Sequence, residues 1–534
     1  MINRTTQSLL GALGVLALAL GVAEVHPPKG QAAASGASVR TAVQQTTLVC
    51  PPPVQGSSGT TQYSLAAPGG SGSAGGSGSA SGTLTPLSAP IDGSATANTG
   101  GASPSASATS PSPSASAKGK AHASSSAKAS ASANAASPAA GSSAAPAPAA
   151  SPIAQLTQLG GATTAKAPSG SNAPGMIATA GGALAPGFTV QQTTLSSKGL
   201  AGTGCSAPST DFWFVGADTA KGTTAYLELS NAQDVNADAD VQIYGANGEV
   251  DDTVASNINI PALGTSRMLL SSLVQPGNDG QNLAVHVLVR SGQVAAALHE
   301  SQDGNGSDWI PATTLDSSAV IPGLPGDVQK FGLTVAVPGD TDADLKIQLA
   351  SQNGWITPAG HETIHVKAGM VDYVDLSNVT HGQPGALRLT PSDPKQATPF
   401  VASVFASGHG DIAYLSGTAP LTRRGTVAGN QSGSSILLTA PNGAATVTVS
   451  SIGNGGSPTS KTVRITAGST VAVQPQVPAG ASTYAVTITP TSGGPVYAAR
   501  EIGDKDGLTI QQIPDDGSTV LIPSVIQNPA ILVQ

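Results

Sequence analysis

From Asp211 onward one succession of short alternating segments recurs three times, with a period of about 100 residues. "AYLELSN" (225–231), "GLTVAVPG" (332–339) and "SILLTAPN" (435–442) open the units. "ADVQIYG", "ADLKIQL" and "AATVTVS" follow, then "INIPALG", "IHVKAG" and "VRITAG", each ending in a turn. A fourth shared strand reads "LAVHVLV", "GALRLTP" and "TYAVTIT", and a small-residue strand closes each unit. Apolar–polar alternation over such short runs, broken by Gly, Pro, Asn and Asp, is the pattern of half-buried β-strands. No competing run combines helical spacing with capping residues. A period near 100 is too long for a solenoid or propeller repeat and matches one immunoglobulin-like sandwich per unit. The expected fold is all-β: tandem immunoglobulin-like β-sandwich domains at 189–315, 316–420 and 421–514, with a tail at 515–534 supplying a last edge strand. A continuous β architecture, with strands passing between units, is the alternative.

Ahead of these units lies a region too poor in bulky apolar residues to build a core. Residues 55–188 run through "GGSGSAGGSGSASG" and "SPSASATSPSPSASAKGKAHASSS". Interleaved Ser, Gly and Pro break every candidate helix, and little burial is available to offset the ordering entropy. A long disordered Ala/Ser/Gly/Pro-rich insert is expected there, preceded by a linker and first strand segment at 35–54. The hexapeptide "VQQTTL" stands on both sides of the insert, at 43–48 and 190–195. Its alternation suits a short strand, so both copies are expected in the first folded domain with the insert between them. A duplicated, unstructured flank is the other reading.

Residues 1–34 read as a signal peptide or N-terminal membrane anchor. Arg4 precedes an apolar run from Leu9 to Ala23, and Ala32 to Ser35 offers small residues for cleavage. The run is shorter than the ~20 residues of a full span. Membrane contact is expected only through this segment. The chain has two cysteines, and in an oxidising space Cys50 and Cys205 most simply form one disulfide. Two free buried thiols are the alternative. Charged residues make up 10% of the chain, the net charge is −8, and Lys and Arg form no patch. Phosphate contacts need clustered basic groups, so nucleic-acid partners are disfavoured.

One string suggests chemistry. His361-Glu362-Thr363-Ile364-His365 spells the H-E-x-x-H of zinc proteases. That motif works because a helix stacks residues i and i+4 on one face. Here Pro358 and Gly360 precede it, Gly369 follows, and "IHVKAG" aligns with the strand segments "INIPALG" and "VRITAG". In a strand, Ile364 and Val366 face the core, and the histidines stand roughly 13 Å apart. One zinc cannot hold both. The third ligand of the extended motif is also missing, since Ala368 and Val371 occupy its positions. Glu362 then has no metal-bound water to activate.

Other candidates are weaker. Asp303 to Asp308 resembles the start of a calcium loop, but Asp308 and Thr314 stand where Gly and Glu are needed. Asp234, Asp238 and Asp240, and likewise Asp340, Asp342 and Asp344, crowd one turn in two units and read as turn aspartates rather than calcium ligands. His286, His299, His381 and His409 fall on strand faces or turns, and Trp213, Trp309 and Trp355 read as sandwich anchors. No catalytic residue, metal or cofactor is assigned.

The segments "LVCPPP", "CSAPSTDFWFVG" and "NLAVHVLVRSGQVAAAL", around a low-complexity insert, resemble a family of large secreted proteins of high-GC Gram-positive bacteria. That family carries a domain of unknown function. The resemblance spans most of the chain outside the insert and implies an exported, envelope-associated protein, with no catalytic residue to transfer. The resulting expectation is an extracytoplasmic, non-catalytic cell-envelope protein that binds or scaffolds cell-wall or envelope protein or glycan partners. A hydrolase or carbohydrate-processing accessory, its site assembled from inter-domain loops, is the second reading.

Overall fold

The computed structural model describes residues 39–54, 59–69, 80–89, 91–92, 150–170, 172–250, 255–274, 280–454, 457–504 and 507–522. The expected signal or anchor at 1–34 lies outside them, as do the central low-complexity stretch and the chain beyond 522. Among the described residues the regular structure is strand, apart from two single 3₁₀ turns at Gly182–Leu184 and Leu270–Ser272.

The second sandwich shows the repeating unit. One sheet runs Asp211–Ala217, Leu283–Ser291, Ala237–Gly245, with Gly248–Glu249 and Ile258–Ile260 on the outer edge of the last strand. The facing sheet runs Gly306–Ile310, Ala295–Gln302, Thr223–Ser230, Thr265–Leu269. The third sandwich repeats this order with Ala319–Leu324, Gly385–Pro391, Ala343–Ser351 and Thr363–Val366 against Asp411–Ser416, Val401–Gly408, Lys330–Val337 and Met370–Asp375. In the fourth, Gly425–Asn430, Tyr484–Gly493, Ala445–Ile452 and Thr459–Ile465 face Gly507–Gln512, Tyr497–Asp504, Ser435–Ala440 and Ser469–Val473. Alternate strand residues meet between the sheets. Leu345, Ile347 and Leu349, for example, pack with Leu333, Val335 and Val404.

The unit also occurs a fourth time, at the N-terminal side, where disorder was expected. Thr60–Ala67, Gly82–Pro86, Ala154–Leu156, Gly161–Lys166 and Met176–Gly181 all fall within 55–188 and are strands. With Gln45–Cys50, Thr189–Ser196 and Gly199–Gly204 they build a sandwich of the same strand order. Its core is carried by a few large side chains, Tyr63, Leu65, Leu84, Met176, Leu184 and Phe188, with alanines between them. A composition rich in Ala, Ser and Thr hides such strands. Residues 189–204 therefore close the first sandwich, and the boundary expected at 189 merged its end with the whole of the next unit. The first "VQQTTL" copy enters the first strand at Gln45 and the second lies within the seventh, in the opposite sheet. The low-complexity stretch enters between its third and fourth strands.

The units are not independent beads. Ile91–Asp92, from the first unit's insert, adds in parallel to the second sandwich beside Thr265–Leu269. Ile412 and Tyr414 of the third unit join the second unit's core, and Ala499, Leu508 and Ile510 of the fourth join the third's. Of the tail, the described strand Thr519–Ile522 pairs antiparallel with Val39–Ala42 in a separate two-stranded sheet, and residues 523–534, where the expected edge strand continues, lie outside the described residues. The turn at Asp515 to Gly517, held by Asp516 N donating to Arg424 O at 2.8 Å, leads the chain off the fourth sandwich.

Candidate binding site at the four-way junction

Each sandwich ends in a hairpin whose last strand is the free edge of its sheet: Gly199–Gly204, Gly306–Ile310, Asp411–Ser416 and Gly507–Gln512. These four closing strands meet. The first and third each touch both the second and the fourth, which closes a ring. Sheet edges carry unpaired N–H groups, and burying them unpaired is costly. Two carboxylates resolve this. Asp411 Oδ2 accepts from Leu200 N at 2.7 Å and Leu508 N at 3.0 Å, while Oδ1 accepts from Ser307 N at 3.0 Å and Ile412 N at 2.9 Å. One carboxylate thus collects an edge amide from every sandwich.

The other three units leave room for it. Gly199 (φ +114°), Gly306 (φ +120°) and Gly507 (φ +146°) begin the closing strands where Asp411 begins its own. A methyl group at any of the three would overlap the Asp411 carboxylate, and the backbone there is one that L side chains rarely adopt. Two residues further along the second closing strand, Asp308 Oδ1 accepts from Gly202 N at 2.8 Å, Trp309 N at 2.9 Å and Thr509 Oγ1 at 3.3 Å. Burial pushes both carboxyls above their usual range, Asp308 well above it, against the amides that pull them down.

Beside this junction lies a cavity of about 530 Å³ with walls from all four sandwiches, including Gln191, Glu228, Trp309, Ser416, Gln511 and Gln512. Pro514 and Gly517, both exposed, stand at its rim, and Cys205 lines one side. Glu228 is 3% exposed; its Oε1 accepts from Arg267 Nε at 2.8 Å, and its Oε2 has no protein partner. Burial raises its pKa to about 7, with Arg267 opposing. Neighbouring groups are equally shielded. Glu300 accepts from Tyr414 Oη at 2.6 Å, Asp218 N at 2.8 Å and Gln302 Nε2 at 2.9 Å, and burial raises it to about 7. His299, edge-on to Trp309 with ring centroids 5.0 Å apart, is lowered to about 3 by burial, with the charges of Lys198 and Arg267 adding to the shift. Arg500, fully buried, donates to Ala428 O at 2.6 Å and to Gln511.

The residues singled out from sequence fall elsewhere, with few exceptions. Cys50 and Cys205 form a disulfide with Cα atoms 4.3 Å apart, tying the first strand of the first sandwich to the residue after its closing strand. The last three residues of the HETIH string begin the strand Thr363–Val366, paired with Ala343–Ser351, and Ile364 and Val366 are buried. His365 Nδ1 lies 2.8 Å from Asp344 Oδ1, and Glu362 Oε1 accepts from Gly360 N at 3.0 Å. The helical stacking that a zinc protease motif needs is therefore not available here. Asp342 Oδ1 accepts from Ala368 N and Asp240 Oδ1 from Asn257 N, each at 2.8 Å, so these aspartates brace turns. Asp303 to Asn305 is the turn of the second closing hairpin, and Asp308, the end of the calcium-like string, is a junction residue. Of the three tryptophans only Trp309 reaches the cavity. Trp213 stacks on His286 with centroids 4.0 Å apart, and Trp355 lies under Arg388 at 3.9 Å. His409 Nε2 contacts Asp327 at 3.1 Å, away from the cavity lining. Asp411, Glu228, Gln191, Gln511 and Gln512 were not singled out. Only the alignment of Gly199, Gly306 and Gly507 with Asp411 carries a sequence signal for any of them.

Fold and junction together define a class: an all-β chain of four sandwiches closed on their own edge strands. A model of a family of unknown function, DUF5719, matches residues 162–476, more than half of the chain, and the protein belongs to that family. The match begins within the first sandwich and ends within the fourth. No curated protein matches the sequence.

Proposed function

We propose that this chain is an exported, non-catalytic cell-envelope protein that binds an envelope component in a cavity assembled from all four sandwiches. The observation that carries the reading is the junction: four edge strands, two buried carboxylates and three obligatory glycines fix the walls of one cavity. Preorganisation of this kind lowers the ordering cost of binding. The Cys50–Cys205 disulfide and the apolar run at Leu9 to Ala23 support an extracytoplasmic setting. The test is protease and thiol accessibility on intact cells, followed by cross-linking from a photoreactive residue at exposed Gly517. Digestion by an external protease, an oxidised Cys50–Cys205 pair and a saturable cross-link to wall glycan or envelope protein are expected. A reduced, protected, uncross-linked protein would remove the reading.

One observation favours the second reading, a hydrolase. Glu228, raised to about 7 with a free Oε2 in the cavity wall, has the protonation range of a general acid. Turnover of wall glycan that Glu228→Gln abolishes, with binding retained, would establish it over the binding role.

A further inference from the structure

We infer that the junction cavity takes an uncharged ligand rich in hydroxyl groups, of saccharide type; this rests on the binding reading above and names its ligand class. Five wall residues each keep a polar atom with no protein partner. Gln191 Oε1 is an acceptor, Glu228 Oε2 accepts when ionised and donates when protonated, and Trp309 Nε1, Gln511 Nε2 and Gln512 Nε2 are donors. Folded proteins pair nearly all their buried polar groups, and five of the thirteen unpaired buried side-chain atoms among the described residues belong to this one wall, which points to partners supplied from outside. They come from the first, second and fourth sandwiches, so no single packing fault accounts for them.

Their mixture narrows the chemistry. A phosphate or carboxylate only accepts and an ammonium only donates, whereas a hydroxyl does both and matches donors and acceptors side by side. Charge points the same way. The lining includes Glu228, Asp515 and Asp516 and, among the described residues, no Lys, Arg or His, and the arginines behind it, Arg267 and Arg424, are already paired with Glu228 and Asp516, so the wall carries no unpaired positive charge for an anion. Phe188 and Trp309 add aromatic surface for the apolar face of a sugar ring. A volume of about 530 Å³ falls within the usual range for small-molecule sites.

The test is calorimetric titration of the full chain, disulfide intact, with maltose, trehalose, diacetylchitobiose and maltoheptaose, and with glucuronate and inorganic phosphate as charged probes. Saturable binding of at least one neutral saccharide is expected, with none for the charged probes. Gln512→Leu and Gln511→Met, checked for unchanged thermal unfolding, are each expected to weaken it at least tenfold. Equal affinity for maltose and maltoheptaose would mark recognition of a chain end, and binding of maltose alone a free sugar. Binding of the charged probes instead, abolished by the same variants, would overturn the ligand class while leaving the binding role standing. Absence of binding by all six probes, or saccharide binding indifferent to both variants, would also overturn the proposal; the cell-surface cross-link separately decides whether the cavity binds anything.

Discussion

Replacing Asp411 by Asn removes a charge and changes almost no volume, yet it is expected to be among the most damaging conservative substitutions in the chain. The carboxylate accepts two amides on each oxygen: Leu200 N and Leu508 N on Oδ2, Ser307 N and Ile412 N on Oδ1. An asparagine keeps one oxygen. Whichever way it turns, its NH₂ group faces two buried N–H donors, and both lose their partner. An orphaned buried donor costs about 1–3 kcal/mol, so the pair amounts to about 2–6 kcal/mol. Release of the carboxylate's own burial cost, visible in its raised pKa, returns part of this. The expected net loss is about 2–4 kcal/mol, and Asp411→Ala, which orphans all four amides, should lose more. Domain stabilities are only about 5–15 kcal/mol, so the Ala variant approaches the limit of folding. Urea unfolding followed by tryptophan fluorescence measures the difference. A midpoint for Asp411→Asn equivalent to less than about 0.5 kcal/mol of loss, the size of an ordinary surface change, would refute the four-amide account.

Three further outcomes follow from the same structure. Cys50→Ser with Cys205→Ser opens a loop of 155 residues, and chain entropy sets the loss at roughly 5 kcal/mol; a thermal melt should fall sharply, and an unchanged melt would show that the first sandwich does not depend on the bridge. Burial raises Glu228, Glu300 and Glu501 from 4.5 to about 7, so their contribution is complete below pH 4.5 and is lost as pH rises through 7. His299, held neutral down to about 3, works the other way below its ordinary 6.5, so calorimetry should show stability falling from pH 5 to 8, most steeply around pH 6 and levelling off above 7; a rise over that range would contradict the burial of these carboxyls. Finally, His365→Ala, on an exposed strand position beside Asp344, should shift stability by no more than about 0.5 kcal/mol in either direction in chemical denaturation.

What the sequence made legible was periodic and apolar. Val335, Ile347 and Leu389 alternate with polar neighbours, and the same spacing marks the strand that carries Ile364 and Val366. The fourth copy of the unit was not legible because its strands are spelled in small residues. "TTQYSLAA" and "MIATAG" read as low complexity, yet Ala66 and Ala162 pack against Ala428 and Ala485 where the first and fourth sandwiches meet. Close approach of backbones, rather than large side chains, makes that contact. The junction was hidden for another reason. Asp411 and Asp308 are partnered by amides up to 211 residues away, and pairing at that range leaves no local pattern. A closing strand beginning with Asp where the others begin with Gly is informative only once the four strands are known to converge.

The four sandwiches form one cooperative block locked through their closing strands. Hydrogen exchange followed by mass spectrometry, on peptides covering 199–204, 306–310, 411–416 and 507–512, tests it most directly. All four peptides are expected to be protected to the same degree as the core strand Lys330–Val337 and to lose that protection together as urea is raised. Closing strands that exchange early, or four peptides that open at separate urea concentrations, would mean four sandwiches strung in a row and would contradict it.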